Sequence, residues 1–479
     1  MIMLNLKALF SKKADLVLKD QIAELLKVSP ERLEEFEKAY QTAVLSDGAD
    51  PDDFFGTSSK QTSQSLRESF VLPEKFNEEA LVSMINTITD GLCEKTPRLE
   101  VKNGMPSSMP LLTGSSSNPQ MTKEMIRALP EAIRPQLTDS LMMHQLDNRE
   151  KSTSDMLFLW LLRLRDETDP KKRRVYYHQF RQGLDILDLD ELTYRMLGMN
   201  RNSMSYWLPA ISQAAAKHGF FRIPETKIAK VPLPLLQLSR LDYGSLTPTT
   251  LKIVDDWAMR TFDLDVNKTY FIKTGTYSSK FDFRNAKVTG EKEVRELGEY
   301  LLFIQNQAVE MAGPLTQPSI YGVSTTNEWV VREFIEDVEN NPCIYKGLPL
   351  HTEYRIFVDF DTDEILGISP YWEPETMKRR FGEGNDASSP HQRHDYIIYK
   401  MHEDVLMGRY HENKEKVLKA VQDLLPDVDL EGQWSIDIMQ NGDDFWLIDM
   451  ATADTSALNE CIPAGKLKKS PENWIPELN

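Results

Sequence analysis

Cysteine is scarce in this sequence. Cys93, Cys343 and Cys461 are the three present, and their spacing forms neither a disulfide framework nor a zinc-ligand pattern. Thiols used this way fit a reducing compartment, so the expected location is the cytoplasm. Long apolar runs are missing too. The most apolar, Met156–Leu162, falls far short of the ~20 residues a membrane span needs. The stretch Met1–Asp20 has no small-residue cleavage site, which argues against a signal peptide. Positive charge is in deficit, with 56 Lys and Arg against 74 Asp and Glu and a formal charge of −18. Nucleic-acid scaffolds show the opposite balance, so neither a membrane nor a nucleic acid is an expected partner. The phosphate-cradling pattern GxxxxGK[ST] is absent. No Ser-His-Asp or Cys-His arrangement can be defended either.

What is present is a long chain with enough apolar content for real cores. It has 479 residues and is 41% hydrophobic. That size suggests two or three domains. Residues 1–200 read as mostly helical. "VSPERLEEFEKAY" offers Ser29 as N-cap, Pro30 in the first turn, and Leu33, Phe36 and Tyr40 at helical spacing. Polar, Gly/Pro/Ser-rich stretches at 47–65 and 103–120 read as linkers or loops. The basic run Asp169–Arg181 suits either a nucleic-acid patch or a solvated helix face, and the acidic background favours the latter. A helical region of this kind could carry a protein partner. After residue 200 the texture changes. Short β-branched and aromatic runs alternate with helical patterns, which predicts an α+β domain over 201–479 with mixed or antiparallel sheets.

Four features in that half carry chemistry. "YFIKTGTYSSKFDFRNAKV" sets Lys273 at a strand end, then Gly275, Ser278, Ser279, Lys280, Arg284 and Lys287. Such a turn, with Gly275 free to take positive φ, can fold over phosphate oxygens, although a plain surface hairpin reads the same way. "EWVVREFIEDV" ends a strand at Glu333, Phe334 and Ile335, where backbone groups could meet a flat base, with an acid after them for ribose hydroxyls. "HTEYRIFVDF" puts Glu353 and Arg355 on one face of a strand whose other face is apolar. "WSIDIMQNGDDFWLIDMAT" is two strands joined by an Asn-Gly turn, with Asp437 in one and Asp449 in the other. Paired carboxylates on neighbouring strands repel unless a cation lies between them. "HQRHD" (His391–Asp395) reads as a polar loop near the site.

In this order, over Trp207 to Leu458, the chain resembles the ATP-grasp superfamily, whose members clamp ATP between two α+β subdomains. "YFIKTG", "EYRIFVDF" and "WSIDIM…FWLIDMA" are most similar to two related groups. One is the divergent bacterial and phage ATP-grasp proteins. The other is the eukaryotic cell-division-cycle assembly factors for a translation initiation complex. The resemblance implies ATP and Mg²⁺ as cofactors. It implies Lys273 on the α/β-phosphates and Gly275, Ser278 and Ser279 in a glycine-rich lid with Lys280 as auxiliary cation. It also implies Glu333, Phe334 and Ile335 as the adenine hinge, Glu336 or Asp337 on the ribose, and Glu353 and Arg355 as the Glu-x-Arg pair. Lys280, Arg355 and Arg284 are then the catalytic cations, and Asp437 and Asp449 the magnesium ligands. The family's usual Asn two residues after the second acid is replaced by Ala451. That leaves one metal, or a second held by Asp454 or Ser456. The implied activity is an ADP-forming ligase that activates a carboxylate on a small molecule or peptide as an acyl phosphate, for attack by an amine. A nucleotide-dependent assembly clamp and a small-molecule kinase would use the same residues.

Overall fold

The computed structural model describes residues 96–109, 200–239, 248–312, 325–379 and 390–470, with scattered positions between 82 and 94 and at 169, 194, 197, 198 and 246. The predicted helix at Ser29, the stretches 47–65 and 110–120, and the basic run after Asp169 lie outside the described residues. Among the described residues no helix is long and apolar enough to cross a membrane.

The fold is mixed α+β. In chain order its elements are β1 (Arg98–Lys102), β2 (Met105–Met109), α1 (Met204–His218), β3 (Phe221–Arg222), β4 (Thr226–Lys230), α2 (Leu233–Leu238), α3 (Pro248–Thr261) and β5 (Tyr270–Thr274). There follow β6 (Lys287–Val288), α4 (Gly290–Arg295), α5 (Leu297–Ala312), β7 (Glu328–Glu333), β8 (Cys343–Ile344), β9 (Leu348–Pro349), β10 (Glu353–Asp359) and β11 (Glu364–Pro370). The last are α6 (Pro374–Met377), α7 (Pro390–Leu424), β12 (Gln433–Asn441) and β13 (Asp444–Thr452). One sheet is ordered β2-β1-β4-β7-β5-β6 and is antiparallel throughout. A second is ordered β11-β10-β12-β13-β3, with only the β13–β3 pair parallel. β8 and β9 form a small ladder of their own.

Strand alternation assigns the faces. In the first sheet Ile272, Trp329 and Val331 turn to a core built with Ile253 and Trp257 of α3 and Leu301 and Ile304 of α5. Val330 turns the other way, into a core shared with Trp207 of α1 and with Tyr354, Ile356, Trp434 and Ile436 of the second sheet. One apolar interior therefore joins the two sheets and leaves their polar ends facing each other. Helix α1 follows its pattern and buries Trp207, Leu208 and Ile211. It ends at Gly219, whose φ of 71° closes the last turn.

Three expectations are corrected here. Residues 103–109 are not linker. Asn103 (φ 52°) and Gly104 (φ 73°) form a tight turn joining β1 to β2, with the positive φ values that short hairpin turns demand. Because β1 pairs with β4, a domain boundary at 200/201 would cut through the first sheet. His394 and Asp395 lie on α7, not in a loop, and the Asp395 carboxylate accepts the Tyr345 N–H.

Candidate nucleotide cleft

The sheets meet along a cleft of about 940 Å³ counting its open mouth. β5 contributes Lys273, whose register partner is Val330, and β7 contributes Arg332, partner of Phe271. These alternate positions put Phe271, Lys273 and Arg332 on the cleft face, opposite Ile272. From the second sheet, Arg355 pairs in register with Asp437, and Asp437 with Asp449. A bulge follows Asp437, yet both acids line the cleft.

The charges interlock across the gap. Lys273 Nζ donates to Asp449 Oδ2 at 2.8 Å, tying one sheet to the other. Arg355 grips Asp437 with both prongs, Nε to Oδ1 at 2.8 Å and a terminal nitrogen to Oδ2 at 2.6 Å, the two-pronged geometry a guanidinium is built for. Burial works against the Arg355 guanidinium, but Asp437 outweighs it and holds the pKa above its ordinary value. Lys280 lies over the Tyr371 ring at 4.4 Å, within cation–π range. Burial pushes its amine downwards and pushes the Glu353 carboxyl upwards, each partly held back by the other.

Arg332 carries a functional signal that the sequence reading passed over. It is 4% exposed. Its Nε donates to Thr226 Oγ1 and its Nη1 to the Ile448 carbonyl at 2.6 Å, a second bridge between sheets. Burial pushes its pKa down to about 10, against the pull of Asp449 and Glu333. The remaining nitrogen, Nη2, is buried with no hydrogen-bond partner. That leaves one buried donor at the cleft wall unsatisfied, a costly state for a guanidinium. Alternation from the quoted "EWVVREFI" would have found it, since Arg332 is two residues from Val330. Tyr371 and Trp372, just after β11, also line the cleft, and no motif in the sequence pointed to them. The apolar end is made by Phe271, Phe283, Phe334, Ile335, Met439 and Ile448.

Of the residues proposed from sequence, Lys273, Ser278, Lys280, Glu333, Phe334, Ile335, Glu353, Asp437 and Asp449 line this cleft. Arg355 reaches it through its grip on Asp437. Five do not line it: Gly275, Ser279, Arg284, Glu336 and Asp337. Gly275 is not in the positive-φ region. A Cβ there would lie 2.6 Å from Glu328 Oε1, so close packing is what requires glycine. Ser279 takes the left-handed conformation instead (φ 50°), and its hydroxyl turns to Gln307 on α5. Arg284 is an exposed residue paired with Asp282 two positions away. Asp337 caps its own loop by accepting from the backbone N–H groups of Glu339 and Asn341. With Glu339 and His351 it forms a group close enough to share a cation, but Asn341 and Arg409 already engage it. Lys287 lies over the Phe334 ring at 4.1 Å.

The metal question turns on the donor set. Two carboxylates whose oxygens keep further lone pairs suit a hard cation. Ala451 adds no side-chain ligand. Asp454 and Ser456 do not replace it: Asp454 accepts the Ser470 N–H, and the Ser456 hydroxyl bonds Ser435 and the Thr452 carbonyl. The side chains that would hold a magnesium ion are therefore Asp437 and Asp449, each of which here pairs with a cation, Arg355 or Lys273.

No family model matches this chain, and no curated protein matches it. Solved structures similar to it include C-terminally truncated Cdc123 from Schizosaccharomyces pombe, at 14% identity over 53% of this chain and 86% of that one, with a TM-score of 0.31. A structure of Cdc123 from the same organism is similar at 13% identity over 54% and 85%, also with a TM-score of 0.31. Likeness at that level says nothing about what this chain does.

Proposed function

We propose that the cleft binds ATP with a single Mg²⁺ and works as a nucleotide-dependent clamp between the two sheets. The observation that carries this reading is the meeting of Lys273 from one sheet with Asp449 and the Arg355–Asp437 pair from the other, above an apolar floor. Lys273, Lys280 and the free Nη2 of Arg332 supply positive charge for phosphates. Phe271, Phe334 and Ile335 supply flat apolar surface for a base. Asp437 and Asp449 would hold the metal, which neutralises phosphate charge when bound. Polyphosphate at this point would compete for Lys273 and so exchange an ion pair between sheets for contacts with ligand. The motif resemblance supports the same reading, and the lack of a third metal ligand favours holding nucleotide over rapid turnover.

A second reading, ADP-forming ligation, is favoured by one feature. Asp437 and Asp449 also line an adjoining chamber, where a second substrate would meet the phosphate end.

Calorimetric titration with ATP, with and without Mg²⁺, tests the main reading. Lys273→Met should weaken binding about tenfold or more, the loss of a charge-assisted contact. Arg284→Ala should leave it unchanged. No ATP binding, or equal losses in the two variants, overturns the assignment. Following ADP and phosphate release in cell extract then separates clamp from ligase.

A further inference from the structure

Helix α7 has two faces of opposite character. One belongs to the core: Tyr399 and Leu406 cluster with Tyr345 and Trp372, and Tyr410 stacks on Tyr354. The other carries Ile397, Met401 and Val405, which are 58%, 83% and 41% exposed. Single exposed apolar residues are ordinary, but these are grouped. At 3.6 residues per turn they fall, with Gly408, inside an arc of ~80° and form one stripe of about three turns. Gly408 is exposed as well. A Cβ added there would meet nothing within 4 Å, so no contact in this structure asks for glycine, although glycine weakens a helix interior.

The stripe is complementary to itself. A two-fold axis through Met401, perpendicular to the helix, sets Ile397 opposite Val405 of a second copy and brings the two Met401 side chains together. His394 falls opposite Gly408, which leaves room for the larger side chain. Such an axis also brings the same flank of each helix together. On one flank stand Lys400, one residue before Met401, and Asp404, three residues after it, both exposed. Each Lys400 then lies within two residue rises, ~3 Å along the helix, of the second copy's Asp404. Unlike charges meet twice. Parallel pairing turns opposite flanks together and loses both pairs. The chain's formal charge of −18 opposes association at long range, but at ~0.15 M salt screening confines that field to ~8 Å.

We propose that this face of α7 is where two copies of the chain associate, antiparallel and two-fold, with Met401 on the axis. Three exposed apolar side chains from each copy make a contact below the ~800 Å² per partner of a standard interface, which places the dissociation constant on the order of 10 μM.

The test is sedimentation velocity on the full chain from ~1 to ~200 μM at ~0.15 M salt. The parent should pass from monomer to dimer across that range. Met401→Glu sets two carboxylates against each other on the axis and should weaken dimerisation about tenfold or more. Met105→Glu, the same change at an exposed methionine on β2, should leave it unaltered. Asp404→Lys should weaken it about threefold or more, and adding Lys400→Asp should restore it, because exposed ion pairs contribute little singly but fix register. The thermal melt of dilute monomer should be the same for the parent and Met401→Glu. The proposal is overturned by a parent that stays monomeric at ~200 μM, by equal losses in the two methionine variants, or by a double charge exchange that fails to restore what Asp404→Lys removes. A dilute Met401→Glu monomer that melts well below the parent would mean that the chain's own residues cover the stripe, which overturns it too.

Discussion

Asp449 is the residue on which most depends. Its Oδ2 holds Lys273 and its Oδ1 accepts the Met450 N–H, so it ties the sheets, and the proposed function also makes it a metal ligand. Asp449→Asn keeps the shape, removes the charge and frees Lys273. ATP should then bind with little dependence on Mg²⁺, since metal and nucleotide are held together and one of two carboxylates is gone. Any turnover should vanish, with circular dichroism unchanged. Asp443→Asn, at the exposed hairpin tip, should change nothing. A magnesium dependence retained in Asp449→Asn would remove that residue from the metal site. This pair was legible in sequence because charge in the middle of an apolar strand is conspicuous. Ser279, Arg284 and Asp337 misled for the converse reason. In a loop without periodicity nothing in the sequence says which way a polar side chain turns, and each found a partner away from the cleft, local for Arg284 and Asp337 and on α5 for Ser279. Arg332 was hidden because it stood next to a motif whose meaning was assigned to the neighbours that follow it.

At the scale of elements, strands were read well and turns poorly. β5, β7, β10, β12 and β13 each carry a run of apolar residues whose alternation sets one face. The Gly275 turn is held by contacts far away in sequence: the Glu328 carboxylate accepts the Ser205 N–H at the start of α1, and Met204 N–H donates to the Gly275 carbonyl. Gly275→Ala should therefore destabilise by about 1–3 kcal/mol through overpacking against Glu328, measured by urea denaturation; no change would mean the turn has room to yield. Between α3 and α5, the buried Asp255 accepts the Glu299 N–H. Burial raises its pKa from 3.8 to about 7. A raised folded-state pKa leaves stability intact below the ordinary carboxylate range and loses it as pH climbs to about 7. Asp255→Asn should then be neutral near pH ~4 and stabilising by about 4 kcal/mol near pH ~8. A variant no more stable than the parent at the higher pH would show that Asp255 is well compensated when charged.

At the scale of the whole molecule, the motifs all lie after Trp207, and that clustering invited a domain boundary near 200. The hairpin 98–109 defeats it. The signal was present as Asn103-Gly104, but a Gly/Pro/Ser-rich context hid two short strands, and the pairing of β1 with β4 spans more than a hundred residues. Long-range pairing of this kind leaves no local trace. Its energetic weight is considerable. Val101 is 1% exposed in the core that joins the sheets. Trp257 Nε1 donates to Thr96 Oγ1, Arg98 donates to the Thr261 carbonyl, and Arg260 pairs with Asp90 at 2.7 Å. A chain beginning at Met196 keeps every cleft residue but loses all of these contacts. It leaves Trp257 and Arg260 buried without those partners and bares the edge of β4. The loss should total roughly 5 kcal/mol or more, comparable to the stability of a whole domain. Such a chain should be poorly soluble or melt far below the parent. If the Met196 chain melts at the parental temperature, the hairpin is an ornament on the first sheet, and the cleft stands on residues 201–470 alone.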